Sequence, residues 1–528
     1  MYSASPVLPY LLVPNLAAIL AVATLLYCLF VFGAGSQLFR DSDAGWHIRL
    51  GDWILTHHAL PPADLYSFSK AGQPWFAWEW GSDVLLGLAH RADGLRGVTA
   101  LMALVIAACS WLWCRLNFSA GGNFFLTALF APLMLTTTSL HWLARPHVFS
   151  WVFLLALLLY AERCVKAEQC VKKDAHLRWP ELLAVAALTA VWANLHASFF
   201  LAPMIALVYA LGALARPLLW PLDSGAEHKQ AKWFLWVALA SLAGSLINPY
   251  GWKLHAHVIQ YLANNDLTSR IAEFQSFNFH DQDATQVVLA MALAAAGGAL
   301  AWGQRKLAHF FLAALFLVGA LRSARVIPLV ALLLLPLANG ALETALKSAR
   351  GLRAPLRRAL EAAHQESVGL LRMDQKFSGT LFMAGAIVLA MVALRAPALS
   401  QSIGFSSRRF PVAASAAVDR LPVESRVLAP DSYGGYLIYR FNGVRKVYFD
   451  GRSDFYGAGF LQQYSVLIQA RPGWKEILRS FGFTHALLPD DSALKAALIE
   501  SGWTTLYRDD VATLLAAPRP AAPQNEHQ

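Results

Sequence analysis

Long apolar runs broken by short polar connections fill most of this 528-residue chain. An apolar run of about 18 or more residues can cross a bilayer as a helix, because a helix satisfies its own backbone hydrogen bonds. The pattern predicts about eleven spans. They lie near residues 8–34, 95–113, 122–140, 147–165, 180–193, 198–215, 233–248, 286–303, 307–321, 326–345 and 378–395. One polar, aromatic-rich island follows the first run: residues 40–80, RDSDAGWHIRLGDWILTHHALPPADLYSFSKAGQPWFAWEW. Segment 82–92 reads as an interfacial helix, and the basic stretch 346–376 as an amphipathic one. After Arg395 the period changes. SRVLAPDSYGGYLIYRF, RKVYFDGRSDFYG, THALLPDD and VATLLAA read as strands and turns, and ALKAALIESGW as a helix. The expected fold is mostly α, a polytopic transmembrane helical bundle with a small exported C-terminal α/β domain. The expected division is 1–398 for the bundle, with its first outer loop at 36–94, then 399–517 for the exported domain and 518–528 for a disordered tail.

Composition agrees with a membrane protein: 57% of residues are hydrophobic and only 14% charged. The net charge is +10, and two loops between apolar runs are rich in basic residues. Loop 161–179 carries Arg163, Lys166, Lys172, Lys173 and Arg178, and loop 346–376 carries Lys347, Arg350, Arg353, Arg357, Arg358, Arg372 and Lys376. Basic loops favour the cytoplasmic side. Counting spans from either loop puts the N-terminus inside, and residues 40–80 and the C-terminal domain outside. The expected location is a bacterial inner membrane, crossed many times. No nucleic-acid-binding motif occurs, so no nucleic acid is expected as partner. The five cysteines, Cys28, Cys109, Cys114, Cys164 and Cys170, fall in apolar runs or inner loops, so no exported disulfide is expected. The first apolar run lacks a preceding Lys or Arg and is longer than a signal core, so no cleavable signal is expected.

The candidate chemistry sits at the outer ends of the spans. Asp41 and Asp43 are two residues apart; such a pair can hold a divalent cation (Mg²⁺ or Mn²⁺) that carries a phosphate, or supply a general base. Asp43 also suits the N-cap of a helix AGWHIRLGDWIL. Glu79 lies among Trp75, Phe76, Trp78 and Trp80. A carboxyl beside rings gains proton affinity, and rings such as Trp78 and Trp80 suit sugar faces as well as an interfacial belt, with Glu79 capping the next helix as the plainer role. Arg145 and Arg325 can grip a lipid-linked phosphate with paired hydrogen bonds or simply snorkel to head groups. His147 and His196 can bind substrate, ligate metal or transfer protons, though a histidine at a span end commonly only hydrogen-bonds. The NPYG sequence at 248–251 reads as a span terminator, and DGRSDFYG at 450–457 as a turn or a contact that closes the site. There is no GxxxxGK[ST], GxSxG or HExxH, which argues against nucleotide-driven transport, a serine hydrolase and a zincin.

These residues resemble a family. An acid-x-acid opening to the first outer loop, GWHIRLGDWIL, WFAWEW, ARPHVFS, the NLH and NPYG turns, RSARVIPL, GGYLIYRF and DGRSDFYG are similar to the C-type superfamily of integral-membrane glycosyltransferases, and within it to the Rgt-like bacterial group. The likeness covers nearly the whole chain. It implies transfer of a sugar from a polyprenyl-phosphate donor to an envelope glycan or lipid acceptor on the outer side of the membrane. It implies a first-loop acid as base or metal ligand, here Asp43 supported by Asp41, with Glu79 as a second acid and Arg325 for the phosphate. The WWDYG-type motif of oligosaccharyltransferases is missing, which argues against peptide asparagine as acceptor. The alternative expectations are a non-catalytic subunit of a polysaccharide assembly or export system and, further off, a transporter.

Overall fold

A computed structural model describes residues 7–166, 178–349, 353–397 and 402–518. Cys170, Lys172, Lys173, Arg350, the tail from residue 519 and the 398/399 domain boundary lie outside these residues.

All eleven expected spans are helices. Six are long and apolar enough to cross a membrane: Leu8–Val31, Trp80–Ser119, His147–Lys166, Ala197–Leu219, Ala284–Gly303 and Ala324–Ser348. Phe124–Ser139, Trp179–Leu195, Leu307–Arg322 and Thr380–Ala393 are shorter apolar helices, and Ser224–Ser245 completes the set. Local chemistry sets their starts. The side chains of Asn15, Asn123 and Asp223 accept from first-turn amides of the helices that follow, which satisfies donors that a helix leaves free. Outward-facing leucines and valines such as Leu129, Leu183, Leu218, Val318 and Leu389 are exposed. An apolar surface of this extent needs lipid around it. The chain is a multi-pass membrane protein.

The helix Trp80–Ser119 breaks at Asp93 and Gly94, where Gly94 takes φ 57°. Its first arm, 80–92, is the segment expected at the interface. The helix Ala354–Asp374 lies almost wholly exposed across the far end of the bundle. His364 Nδ1 meets Glu343 at 2.6 Å and Ser367 Oγ accepts from Phe124 N at 2.9 Å, tying it to the spans. Cys28, Cys109 and Cys114 are free and buried, whereas Cys164 is disulfide-bonded, a bond the sequence reading did not anticipate.

The island after the first span folds as the helix Asp43–His57 and a turn-rich segment. Two sides of that helix touch other backbones. A Cβ on Gly51 would lie 1.8 Å from Asp83 O, and one on Gly45 would lie 2.1 Å from Gly435 O. Glycine alone permits both approaches. The helix is thus clamped between the first arm of Trp80–Ser119 and the helix Asp431–Arg440. Trp46, Leu50, Tyr66 and Trp75 of the island share one core with Tyr436, Leu437, Leu487 and Leu514 of the C-terminal part.

The C-terminal part has a four-stranded sheet in the order β1-β2-β4-β3, formed by Val427–Leu428, His485–Pro489, Thr504–Arg508 and Ala512–Ala516 in chain order. β1 runs parallel to β2, and β2, β4 and β3 pair antiparallel. The strands read in THALLPDD and VATLLAA and the helix in ALKAALIESGW are present. Two readings need correction. GGYLIYRF is helix, Asp431–Arg440, because Gly434 and Gly435 pack against Phe449 O and Ser42 O and the helix is buried on most sides. DGRSDFYG opens the helix Ser453–Ile468, and RKVYFD contributes only an isolated bridge, Ser67 to Val447.

Candidate active site

Three helices place polar groups around one cavity of about 420 Å³. His147, Ser150 and Trp151 come from the start of His147–Lys166, Ser198 and Leu201 from the start of Ala197–Leu219, and Gly319 from the end of Leu307–Arg322. Glu79, Arg145, His196, Glu273, Arg325 and Asp454 close the polar end, while Leu154, Met204, Leu315, Phe316 and Leu329 line an apolar floor between the spans.

Arg145 is the hub of the polar end. Its guanidinium reaches Asp41 Oδ2 at 2.7 Å, Asp43 Oδ2 at 3.1 Å and Glu273 Oε1 at 2.9 Å. Glu273 Oε2 then meets Arg325 at 2.5 Å. Carboxylates and guanidiniums therefore alternate from Asp41 to Arg325. The acid-x-acid spacing has a local cause: Asp41 Oδ1 accepts the backbone N–H of Asp43 at 3.0 Å, which turns both carboxyls to one side. Asp43 is the first residue of its helix and Ser42 holds the N-cap position, so the capping role expected of Asp43 is not the one it plays. Gly451 presses on it; a Cβ there would lie 1.9 Å from Asp43 Oδ1.

Burial and the nearby Asp41 push the Asp43 carboxyl well above its usual range, with Arg145 opposing. Burial would also raise Glu273, but Arg145 and Arg325 overcome it and hold that carboxyl below its usual range. Burial, opposed by Arg145, raises Glu79 to about 7. Its side chain does not cap the helix that follows and instead lies 3.4 Å from His196 Nε2. His196 Nδ1 accepts from Ser198 N at 3.2 Å and meets Ser150 Oγ at 2.9 Å. An acceptor at Nδ1 leaves the proton of the neutral ring on Nε2, aimed at Glu79. Burial, then the neighbouring His147, Arg325 and Arg145, keep His196 well below its ordinary value. His147 Nε2 bonds His141 O at 2.9 Å.

Of the residues expected from sequence, Glu79, Arg145, His147, His196, Arg325 and Trp78 line the cavity, and Asp41 and Asp43 join it through Arg145. Trp80 does not line it; its indole donates to Asn194 Oδ1 at 2.9 Å and braces the wall. Asp41 and Asp43 were also expected as metal ligands. Both, with Glu273, converge on the guanidinium of Arg145. Among the described residues no group of three or more His, Cys, Asp or Glu side chains is arranged to hold a metal ion. Sequence reasoning missed Glu273, a lone acid in a loop without periodicity, and Tyr261. It also treated Arg452 chiefly as part of a turn. Arg452 is buried, bonds Asp450 at 2.7 and 2.6 Å and Asp64 at 2.8 Å, and lies over the Trp75 ring at 4.5 Å. It locks the C-terminal part onto the island beside Asp43.

Such a site already holds one anion, Glu273, between its two guanidiniums; it can take up a proton at Asp43 or Glu79 and lodge an apolar chain below. No family model matches the chain, and no curated protein matches it. Solved structures do. The archaeal oligosaccharyltransferase AglB from Archaeoglobus fulgidus, in complex with an inhibitory peptide and a dolichol-phosphate, aligns over 96% of this chain and 74% of its own at TM-score 0.56 and 12% identity. The apo oligosaccharyltransferase of the same organism aligns over 90% and 69% at TM-score 0.51 and 12% identity. The chain shares the fold of these oligosaccharyltransferase structures. ArnT from Cupriavidus metallidurans, bound to undecaprenyl phosphate, aligns over 96% and 99% at 14% identity, with a TM-score of 0.38. At these identities the likeness establishes architecture, and the reaction has to be argued from the site.

Proposed function

We propose that this protein is a glycosyltransferase that moves a sugar from a polyprenyl-phosphate carrier to a hydroxyl of an envelope glycan or lipid. The observation that carries this reading is the shape of the cavity: alternating carboxylates and guanidiniums above an apolar floor between spans. AglB, which shares the fold, was solved with a dolichol-phosphate. The polyprenyl chain would lie along Leu154, Leu315 and Phe316, with its phosphate at Arg325 and Arg145. The basic segments at the opposite end of the bundle favour an outer placement of this site.

In the proposed reaction the acceptor O–H gives its proton to Asp43, the acceptor oxygen bonds to the anomeric carbon, and the bond from that carbon to phosphate oxygen breaks. Polyprenyl phosphate leaves with the electron pair, and Arg325 and Arg145 stabilise the charge that develops. Raised proton affinity suits Asp43 to take up the proton, with Asp41 orienting it through the shared guanidinium. No step is assigned to a metal.

Membranes holding the protein and radiolabelled polyprenyl-phosphate sugars test this. Asp43→Asn is expected to lower transfer by about a hundredfold or more while the protein still inserts and folds. Full activity in that variant would defeat the assignment. A chelator is expected to leave wild-type transfer intact, and loss of activity that Mg²⁺ or Mn²⁺ restores would return Asp41 and Asp43 to the metal role.

A further inference from the structure

The three helices that shape the active-site cavity form a second cavity at their opposite ends. It measures about 300 Å³ and is lined by Glu162 and Lys166, by Tyr209, Gly212 and Arg216, and by Lys306 and His309. The glycosyl-transfer reading gives it no task.

Its charges are unbalanced. Among the described residues Glu162 is the one carboxylate in the lining, and its Oε1 is held by His309 Nε2 at 2.8 Å and by the Tyr209 hydroxyl. Arg216 is paired with Glu227 at 2.5 Å. Lys166 and Lys306 have no ion pair among the described residues. Lys166 Nζ reaches only Phe118 O, at 3.4 Å. The Lys306 ammonium makes no side-chain bond among the described residues. Burial weakens its hold on a proton, Glu162 strengthens it and Lys166 weakens it again. Two ammonium groups from separate elements thus face one space with one hydrogen-bonded carboxylate between them. Like charges brought together repel unless an anion joins them.

A further feature favours an anion. The helix Leu307–Arg322 starts at this cavity, and no side chain caps it. Leu307 and Ala308, the first residues of that helix, border the space, and the positive end of a helix attracts phosphate. Apolar Val165, Ala213 and Leu307 form the rest of the rim. The volume suits a head group and not a lipid chain.

We propose that this pocket, at the end of the bundle opposite the active site, binds a phosphate group through Lys166, Lys306 and the start of the helix Leu307–Arg322. The phosphate could come from a membrane lipid head group or from solution; the chemistry of recognition is the same. The inference does not depend on the transfer reaction.

The test uses the full chain in nanodiscs of phosphatidylcholine with or without phosphatidic acid, and in detergent with inorganic phosphate. Native mass spectrometry reads bound lipid, and thermal unfolding reads both ligands. Wild type is expected to retain phosphatidic acid, and the K166Q/K306Q double variant to retain about tenfold less, the equivalent of about 1.4 kcal/mol. The K166R/K306R variant keeps the charges and is expected to keep binding. Should the double Gln variant fail to fold, K306Q alone, at a loop position, supplies the charge-loss arm. A shift with inorganic phosphate equal to that with phosphatidic acid assigns the site to soluble phosphate. Equal retention by wild type and the Gln variants, or no response of wild type to either probe, overturns the proposal.

Discussion

Arg145 holds three carboxylates at once, and removing it has a cost that the contact distances make plain. In Arg145→Gln, Asp41 and Asp43 would lose their cation and Glu273 would keep only Arg325. Breaking a buried ion network by removing one partner costs about 3–5 kcal/mol, so a marked fall in detergent or thermal stability is expected. A variant as stable as wild type would show that water already screens these charges. Glu79 makes a second prediction. Its folded-state value of about 7 stands above the ordinary 4.5. The folded protein therefore keeps a proton that the unfolded chain releases, and the contribution of this carboxyl to stability falls as pH rises through that window. Glu79→Gln should flatten the stability slope between those values, measured by unfolding at a series of pH values. The carboxyls on 41, 43 and 79 were legible because they stand out in a sparsely charged chain. Glu273 was not, since nothing in AEFQSFNF marks its carboxyl as the link between Arg145 and Arg325.

Close backbone approach governs the elements around the site. Gly451 faces the Asp43 carboxyl and Gly435 faces Ser42 O, where an added Cβ would lie 2.2 Å away. Gly451→Ala should push the Asp43 carboxyl off Arg145. Overpacking of this kind costs about 1–3 kcal/mol, and transfer is expected to fall further than stability does. Equal and small losses in both would mean that Asp43 moves without consequence. These glycines also explain a misreading. YLIYRF looks like a strand by alternation, but the helix Asp431–Arg440 is buried on most sides, which removes the polar stripe that marks a helix in sequence. Gly434 and Gly435 looked like a turn for a similar reason. Their role is contact with Phe449 O and Ser42 O, and the contact with Ser42, far back in the chain, has no local signature.

At the scale of the whole molecule, the bundle has an acid–arginine end and a lysine-bearing end, and the same helices reach both. Cysteines placed at Ala71, exposed on the island, and at Arg358, exposed on the helix Ala354–Asp374, should react with a membrane-impermeant thiol reagent from opposite sides of sealed vesicles. Reaction of both from one side would reverse the sidedness on which the proposed acceptor depends. The native Cys28, Cys109 and Cys114 are buried and should leave the background low.

The sequence by itself determined the membrane class, the helical spans and which acids and arginines stand near their ends. Those follow from hydrophobic run length and from charges too costly to leave in lipid, both local properties of the chain. Only the tertiary structure decided that Asp41, Asp43 and Glu273 meet on one guanidinium, that Trp80 braces a wall, and that Gly451 and Arg452 press the C-terminal part against Asp43. Those are contacts between segments far apart in sequence. They are set by backbone approach, ion pairing and a shared core, which no period along the chain encodes.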